Sequence, residues 1–241
     1  MGLFTRLFGG GRHRQAVAEC LAAFPFAVEA APGAAALARM AELRSPDFIP
    51  ILLGDAEDLL AHHALLAKDP YTMRDLLGRV QSIGMPEWWL TARAHALEDR
   101  FAEVLGAWPE EPAPLDTVQA LYDADTGEPR AEVFIARLPL ARSADAPALL
   151  RFGGWNGSPF PEEHVAIARA WREEFGAEII AVTARTLEFT VARPPATRDA
   201  ADALALTHFA YCPDIVNTGV GTLSNLAARL LNAPNWCFRW E

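Results

Sequence analysis

The stretch "PEEPAPLD", residues 109–116, sets three prolines within six positions and marks a change in hydrophobic period along the chain. Ahead of it, apolar residues recur at helical spacing. In "PEWWLTARAHALEDRFAEVLGAW", Leu90, Ala94, Leu97, Phe101, Val104 and Trp108 fall three or four apart. "RQAVAECLAAF" repeats the pattern with Val17, Cys20, Leu21 and Phe24, and "AAALARMAEL" with Leu37, Met40 and Leu43. Two short strands interrupt these helices: "PFAVEAAPG", and the apolar "FIPILLGD", whose Asp55 is placed to cap the helix that follows. Behind the prolines the pattern turns to strands. "TVQALYD" and "AEVFIARL" flank the turn-rich "ADTGEPR" as in a β-hairpin, and "ALLRFGGW" reads as a further strand.

From Pro161 to a stop at Gly176 a helix carries Val165, Ala168, Trp171 and Phe175 on one side and Glu162 and Glu163 in its first turn. "AEIIAVTA" and "TLEFTVARPP" then form adjacent strands, and two helices near 198–212 and 222–231 follow, the second capped by Thr222. The closing "NWCFRWE" alternates Trp236, Phe238 and Trp240 against Cys237, Arg239 and Glu241. The expected fold is α+β, with a mainly antiparallel sheet and packed helices in the C-terminal half and a helix-rich α/β N-terminal half. The expected division is a flexible tail 1–14, a helix-rich region 15–108, a Pro-rich linker 109–115 and an α+β domain 116–241.

With 241 residues, half of them apolar, the chain has material for a core without staples. Three widely spaced cysteines and no secretory leader point to reduced thiols and a cytoplasmic setting. Apolar runs are far shorter than the ~20 residues a membrane-spanning helix needs. Leu3, Phe4, Leu7 and Phe8, with nearby arginines, offer at most a weak N-terminal membrane contact. A net charge of −10 repels a phosphate backbone, and no basic run offsets it, so a nucleic-acid partner is not expected.

The sharpest chemical candidate is "LTHFAYCPDIV", which sets His208 four residues before Cys212, with Pro213 and Asp214 directly after. Ala201, Leu204, Ala205, His208 and Cys212 share one helical face whose other members are apolar, which argues for a buried helix end. A helix C-terminus also opposes a thiolate through its partial negative charge. The catalytic alternative joins His208, Cys212 and Asp214, with Glu162, Glu163 and His164 facing them. The metal alternative uses His208 and Cys212 with Asp214 or His164 to hold zinc. No cofactor is expected on the first reading. The best pocket is "FGGWNGSP", where Gly153, Gly154, Trp155 and Asn156 offer backbone N–H groups, an aromatic surface and an amide. A tight turn explains the same glycines.

"FGGWNGSPFPEEHVAIARAWREEFGAEIIAVTARTLEFTVARPP", "AYCPDIV" and the closing "NWCFRWE" together resemble the bacterial domain-of-unknown-function 4253 family over about residues 147–241. The resemblance implies no catalytic residues. In the family pattern a cysteine stands where this chain has Ser158, so a thiol partnership between that position and Cys212 is absent here. The resulting expectation is a non-catalytic module that binds a protein partner, immunity-like or regulatory, with Trp155 and Trp88 or Trp89 as loop aromatics. The competing expectation is the metal- or thiol-dependent enzyme at His208, Cys212 and Asp214. Partner identity and oligomeric state are not legible in the sequence.

Overall fold

The computed structural model describes residues 3–68, 70–97, 101–111 and 113–241, without the side chains of 3–10, 86, 96–97 and 101–102. The elements run α1 (Leu3–Ala23), β1 (Ala27–Ala31), α2 (Gly33–Leu43), β2 (Ile49–Gly54), α3 (Ala56–Lys68), α4 (Met73–Val80), α5 (Met85–Leu97) and α6 (Phe101–Leu105). They continue with β3 (Val133–Leu138), α7 (Ala146–Leu150), α8 (Pro161–Phe175), β4 (Ala177–Val182), β5 (Thr186–Val191), α9 (Arg198–Tyr211), α10 (Leu223–Leu230) and β6 (Asn235–Arg239). The fold is α+β.

Among the described residues six strands form one sheet in the order β1-β3-β2-β4-β5-β6. All neighbours are antiparallel except β2 and β4, which run parallel. Strand β3 lies between β1 and β2, so the two strands of the N-terminal region meet only through a strand from beyond the prolines. The Pro-rich stretch therefore does not divide two sheets. Its flanks are pinned to the C-terminal helices: Ser224 Oγ donates to Gly106 O at 3.0 Å, Leu115 N to Arg229 O at 3.3 Å, and the Arg198 guanidinium lies 4.4 Å from the Trp108 ring centre.

Every residue of β2 is buried because both faces of the sheet are covered. On one face Ile51, Phe134, Ile179, Leu187, Phe189, Trp236 and Phe238 pack with Trp171, Leu204 and Leu226 from the helices. On the other, Leu52, Val133 and Ile135 meet Ala36 and Met40 of α2 and the short turn Gln119–Leu121. Local signals act as their chemistry requires. Asp55 Oδ1 accepts from Glu57 N and Asp58 N, Thr222 Oγ1 accepts from Asn225 N, and α8 stops at Gly176 with φ 63°.

Four expectations need correction. Residues 117–131 make no hairpin: Gln119–Leu121 is a helical turn, one bridge joins Tyr122 to Pro129, and β3 pairs with β1 and β2 instead. "ALLRFGGW" is no strand, since Pro147 opens the short helix α7 and Arg151 ends it at φ 59°. Leu37 and Leu90 point outward, Leu90 being 70% exposed, because Ala36 and Met40 fill the α2 contact and α5 turns another side toward α9. The helix expected from Pro86 to Trp108 ends at Leu105, with 98–100 outside the described residues. Helix α1 takes in the glycine run expected in a tail, while the side chains on which a membrane contact would rest are outside the description.

Candidate functional site

Helix α9 is opened by Thr197, whose Oγ1 accepts from Ala200 N, and its apolar face is fully buried down to His208 and Cys212. Trp171, Trp236 and Phe238 surround the His208 ring, with centroids 5.0, 4.7 and 4.7 Å away. Neither ring nitrogen has a partner among the described residues, and burial pushes the imidazole pKa down to about 3. Cys212 closes the helix, and its thiol donates to Arg239 O at 3.1 Å. Burial, with Asp214 nearby, pushes that thiol up to about 12. The Asp214 carboxylate accepts the backbone N–H of Glu241 at 3.1 Å. The three residues thus turn to three different partners, and the structure does not assemble them as nucleophile, base and orienting acid.

The second cluster sits at the start of α8. The loop from Arg151 to Phe160 follows a helix, not a strand, and folds back on itself through Gly154 N to Pro159 O at 2.9 Å and Ser158 N to Trp155 O at 2.7 Å. Gly153 is required there: its φ is 116°, and a Cβ would lie 2.2 Å from Pro159 O and 2.8 Å from His164 Nε2. Under this loop Ser158 Oγ lies 3.0 Å from His164 Nε2, and His164 Nδ1 lies 2.5 Å from the Tyr211 hydroxyl. All three are buried.

That chain has the outline of a nucleophile, a base and an orienting group, but burial leaves its imidazole too weak a base for the part. Burial raises the Tyr211 pKa well above 10, so its hydroxyl keeps its proton, and His164 Nδ1 is the partner it has. Two arrangements of the neutral ring satisfy the chain: Tyr211 donates to Nδ1 and Nε2–H donates to Ser158 Oγ, or Ser158 donates to Nε2 and Nδ1–H donates to Tyr211. In either arrangement a buried imidazole held neutral is a poor acceptor for the serine proton. Burial also holds His164 at about 3. The chain is a tie between loop, α8 and α9.

Glu163 continues the tie outward: Oε2 accepts from Phe160 N at 2.7 Å and Oε1 from Trp88 Nε1 at 2.8 Å. Glu162 pairs with Arg79 at 3.2 Å. These acids face α4 and α5, not His208, Cys212 and Asp214, whereas His164 reaches Tyr211, the neighbour of Cys212. No three His, Cys, Asp or Glu residues among those described gather closely enough to share a metal ion.

A cleft of about 1510 Å³ runs beside β6. Trp155 and Asn156 line it, and Gly153 and Gly154 are not among its lining residues. Arg185, Glu188, Arg239 and Asp214 give it both signs of charge. Glu188 is a site residue that periodicity hides, since it sits in an alternating strand as an ordinary outward acid. It is buried, its carboxylate accepts Gln119 N at 2.6 Å and Ala120 N at 2.7 Å, and desolvation lifts its pKa to about 7.

β6 forms one edge of the sheet. The bonds Trp240 N to Arg185 O and Val191 N to Pro234 O fix which residues turn toward β5: Trp236, Phe238 and Trp240 do, and Asn235, Cys237 and Arg239 turn their backbone outward. Cys212 takes Arg239 O, leaving the outward groups of Asn235 and Cys237 open toward the cleft. No curated protein and no solved structure matches the chain. A family model matches residues 134–241, from within β3 to the last residue, thirteen positions further upstream than the resemblance in sequence suggested. The C-terminal half of the chain, residues 134–241, is a member of the family described as domain of unknown function (DUF4253).

Proposed function

We propose that the protein is a non-catalytic binding module, immunity-like or regulatory, that takes an extended segment of a protein partner along β6. The observation that carries this reading is the open edge: outward N–H and C=O groups at Asn235 and Cys237 beside a cleft of mixed charge, with Trp155 and Asn156 at one end. Strand addition at such an edge draws affinity from main-chain hydrogen bonds and selectivity from the flanking pockets. The net charge of −10 favours a partner of opposite sign. Trp88 and Trp89 are half-buried on α5, so Trp155 is the aromatic that meets the cleft.

The protonated Cys212 thiol and the weakly basic buried His164 beside Ser158 weigh against nucleophilic catalysis. All three cysteines are free thiols, which supports a reducing compartment. No described helix is long and apolar enough to cross a membrane.

Proline at position 237 removes an outward N–H without breaking the β5–β6 ladder. Affinity capture from host cells should retain a protein on the wild type and lose it on Cys237→Pro, with unfolding midpoints of the two proteins kept within a few degrees. Equal retention by both, or no retained protein on either, would overturn the reading.

A further inference from the structure

A segment added to β6 at the outward backbone of Asn235 and Cys237 has a fixed geometry. Residues directly opposite each other on paired strands share one face of the sheet, so the incoming residue opposite Cys237 lies on the side of Cys237 and Glu188. Charge on that side is unevenly met. The Glu188 carboxylate is taken by Gln119 N and Ala120 N, and Arg239 holds Glu241 at 3.2 Å. Arg229, in the last turn of α10, lines the same cleft half-buried and has no carboxylate within ion-pair reach among the described residues. Burial raises the Cys237 thiol pKa most and Glu188 adds to it, while Arg229 and Arg239 both stand near enough to draw it down. The fold uses the Arg229 main chain, whose carbonyl accepts from Leu115 N at 3.3 Å, and leaves its charge unmatched.

We propose that the partner segment seated on β6 carries an acidic side chain on the Cys237 side, where its carboxylate pairs with Arg229. This rests on the strand-addition reading of β6. A guanidinium half withdrawn from water has lost part of its hydration, and a carboxylate replaces it with paired, charge-assisted hydrogen bonds. An amide offers a single neutral acceptor, and an ammonium is repelled. The nearby acids do not cancel this charge, since Asp55 is held by Arg130 and Asp214 by Glu241 N. The net charge of −10 governs approach, whereas Arg229 acts within about one Debye length, ~8 Å at physiological salt, and decides which residue seats. A second copy of the chain fits less well, because pairing two β6 edges would bring two copies of Arg229 to the same short ladder.

Three capped, fluorescently labelled heptapeptides of alternating threonine and valine, with glutamate, glutamine or lysine at the centre, test this by anisotropy. The wild type should bind the glutamate peptide about fivefold tighter than the glutamine peptide, and the lysine peptide should be the weakest. Arg229→Gln should erase the preference for glutamate over glutamine, and Arg229→Glu should reverse the order so that lysine leads. Cys237→Pro should abolish binding of all three. If the wild type binds glutamate and glutamine peptides alike and Cys237→Pro loses both, the acidic partner is overturned and strand addition stands. A glutamate preference that survives Arg229→Gln would remove Arg229 from the site. Binding of none of the peptides, or a dimer in sedimentation that Cys237→Pro dissolves, would overturn the inference together with the reading it rests on.

Discussion

His164 and His208 make a matched pair with opposite outcomes. Each is fully buried in a wall of aromatic rings, each is held neutral by desolvation with a pKa near 3, and each faces the same side of the sheet. His164 has a partner on both nitrogens and His208 on neither. Equal burial thus hides a difference in kind: the first ring is a structural tie bonded at both nitrogens, and the second is a neutral ring packed among aromatic side chains.

The same substitution at both sites should break the symmetry most visibly. His164→Phe strands the Ser158 and Tyr211 hydroxyls in the interior and should cost about 2–4 kcal/mol in urea unfolding. If it cost no more than a surface substitution, the tie would be idle. His208→Phe strands nothing and should be neutral or gain up to about 1 kcal/mol.

Acid should act on both rings alike. Their folded pKa of about 3 lies below the ordinary 6.5, so between these values the unfolded chain binds more protons. The stability they permit is whole above pH ~6.5 and falls as pH drops toward 3, by about 2 kcal/mol per histidine at pH ~5. His208→Phe should remove one such increment from the pH profile. Glu188 has the contrary sign: its pKa is raised to about 7, so stability is lost as pH rises from its ordinary 4.5 through 7, and Glu188→Gln should flatten that limb. A wild-type profile that is flat from pH 8 to pH 5 would contradict the assignment.

The helix ends beside the two rings can be compared through sulfur. Cys212 lies at a helix C-terminus with its pKa pushed to about 12, whereas a cysteine placed at Ser158 would stand beside His164 Nε2 just ahead of the α8 N-terminus. In a Cys212→Ala background, Ser158→Cys should alkylate at least tenfold faster at mildly alkaline pH than Cys212 does in the wild type. The smallest effect belongs to the outer end of the His164 tie. Trp88→Phe removes the donor to Glu163 Oε1 and should cost about 1 kcal/mol.

Much of this molecule is written locally. The run in β2, the stop at Gly176, the caps at Asp55 and Thr222 and the alternation of Trp236, Phe238 and Trp240 each depend on residues within a few positions. Pairing is not local: nothing in "AEVFIARL" says that it will lie between two strands eighty residues upstream. The short apolar run at Ala146–Leu150 suits helix or strand alike, and Pro147 decided for helix. Helical spacing placed His208 and Cys212 on a buried face, yet it could not show whether the ring nitrogens would find partners. The Ser158–His164–Tyr211 chain spans 47 residues between its last two members and left no spacing to read.

The place of β3 carries a consequence for how the chain comes into being. During synthesis β1 and β2 leave the ribosome more than seventy residues before the strand that joins them, and among the described residues β2 lies between β3 and β4 in the sheet. The family segment 134–241 therefore borrows its central strand from outside its own borders. A gene cut between Trp108 and Leu115 should yield two polypeptides that are each insoluble when made separately and that recover one folded particle when made together.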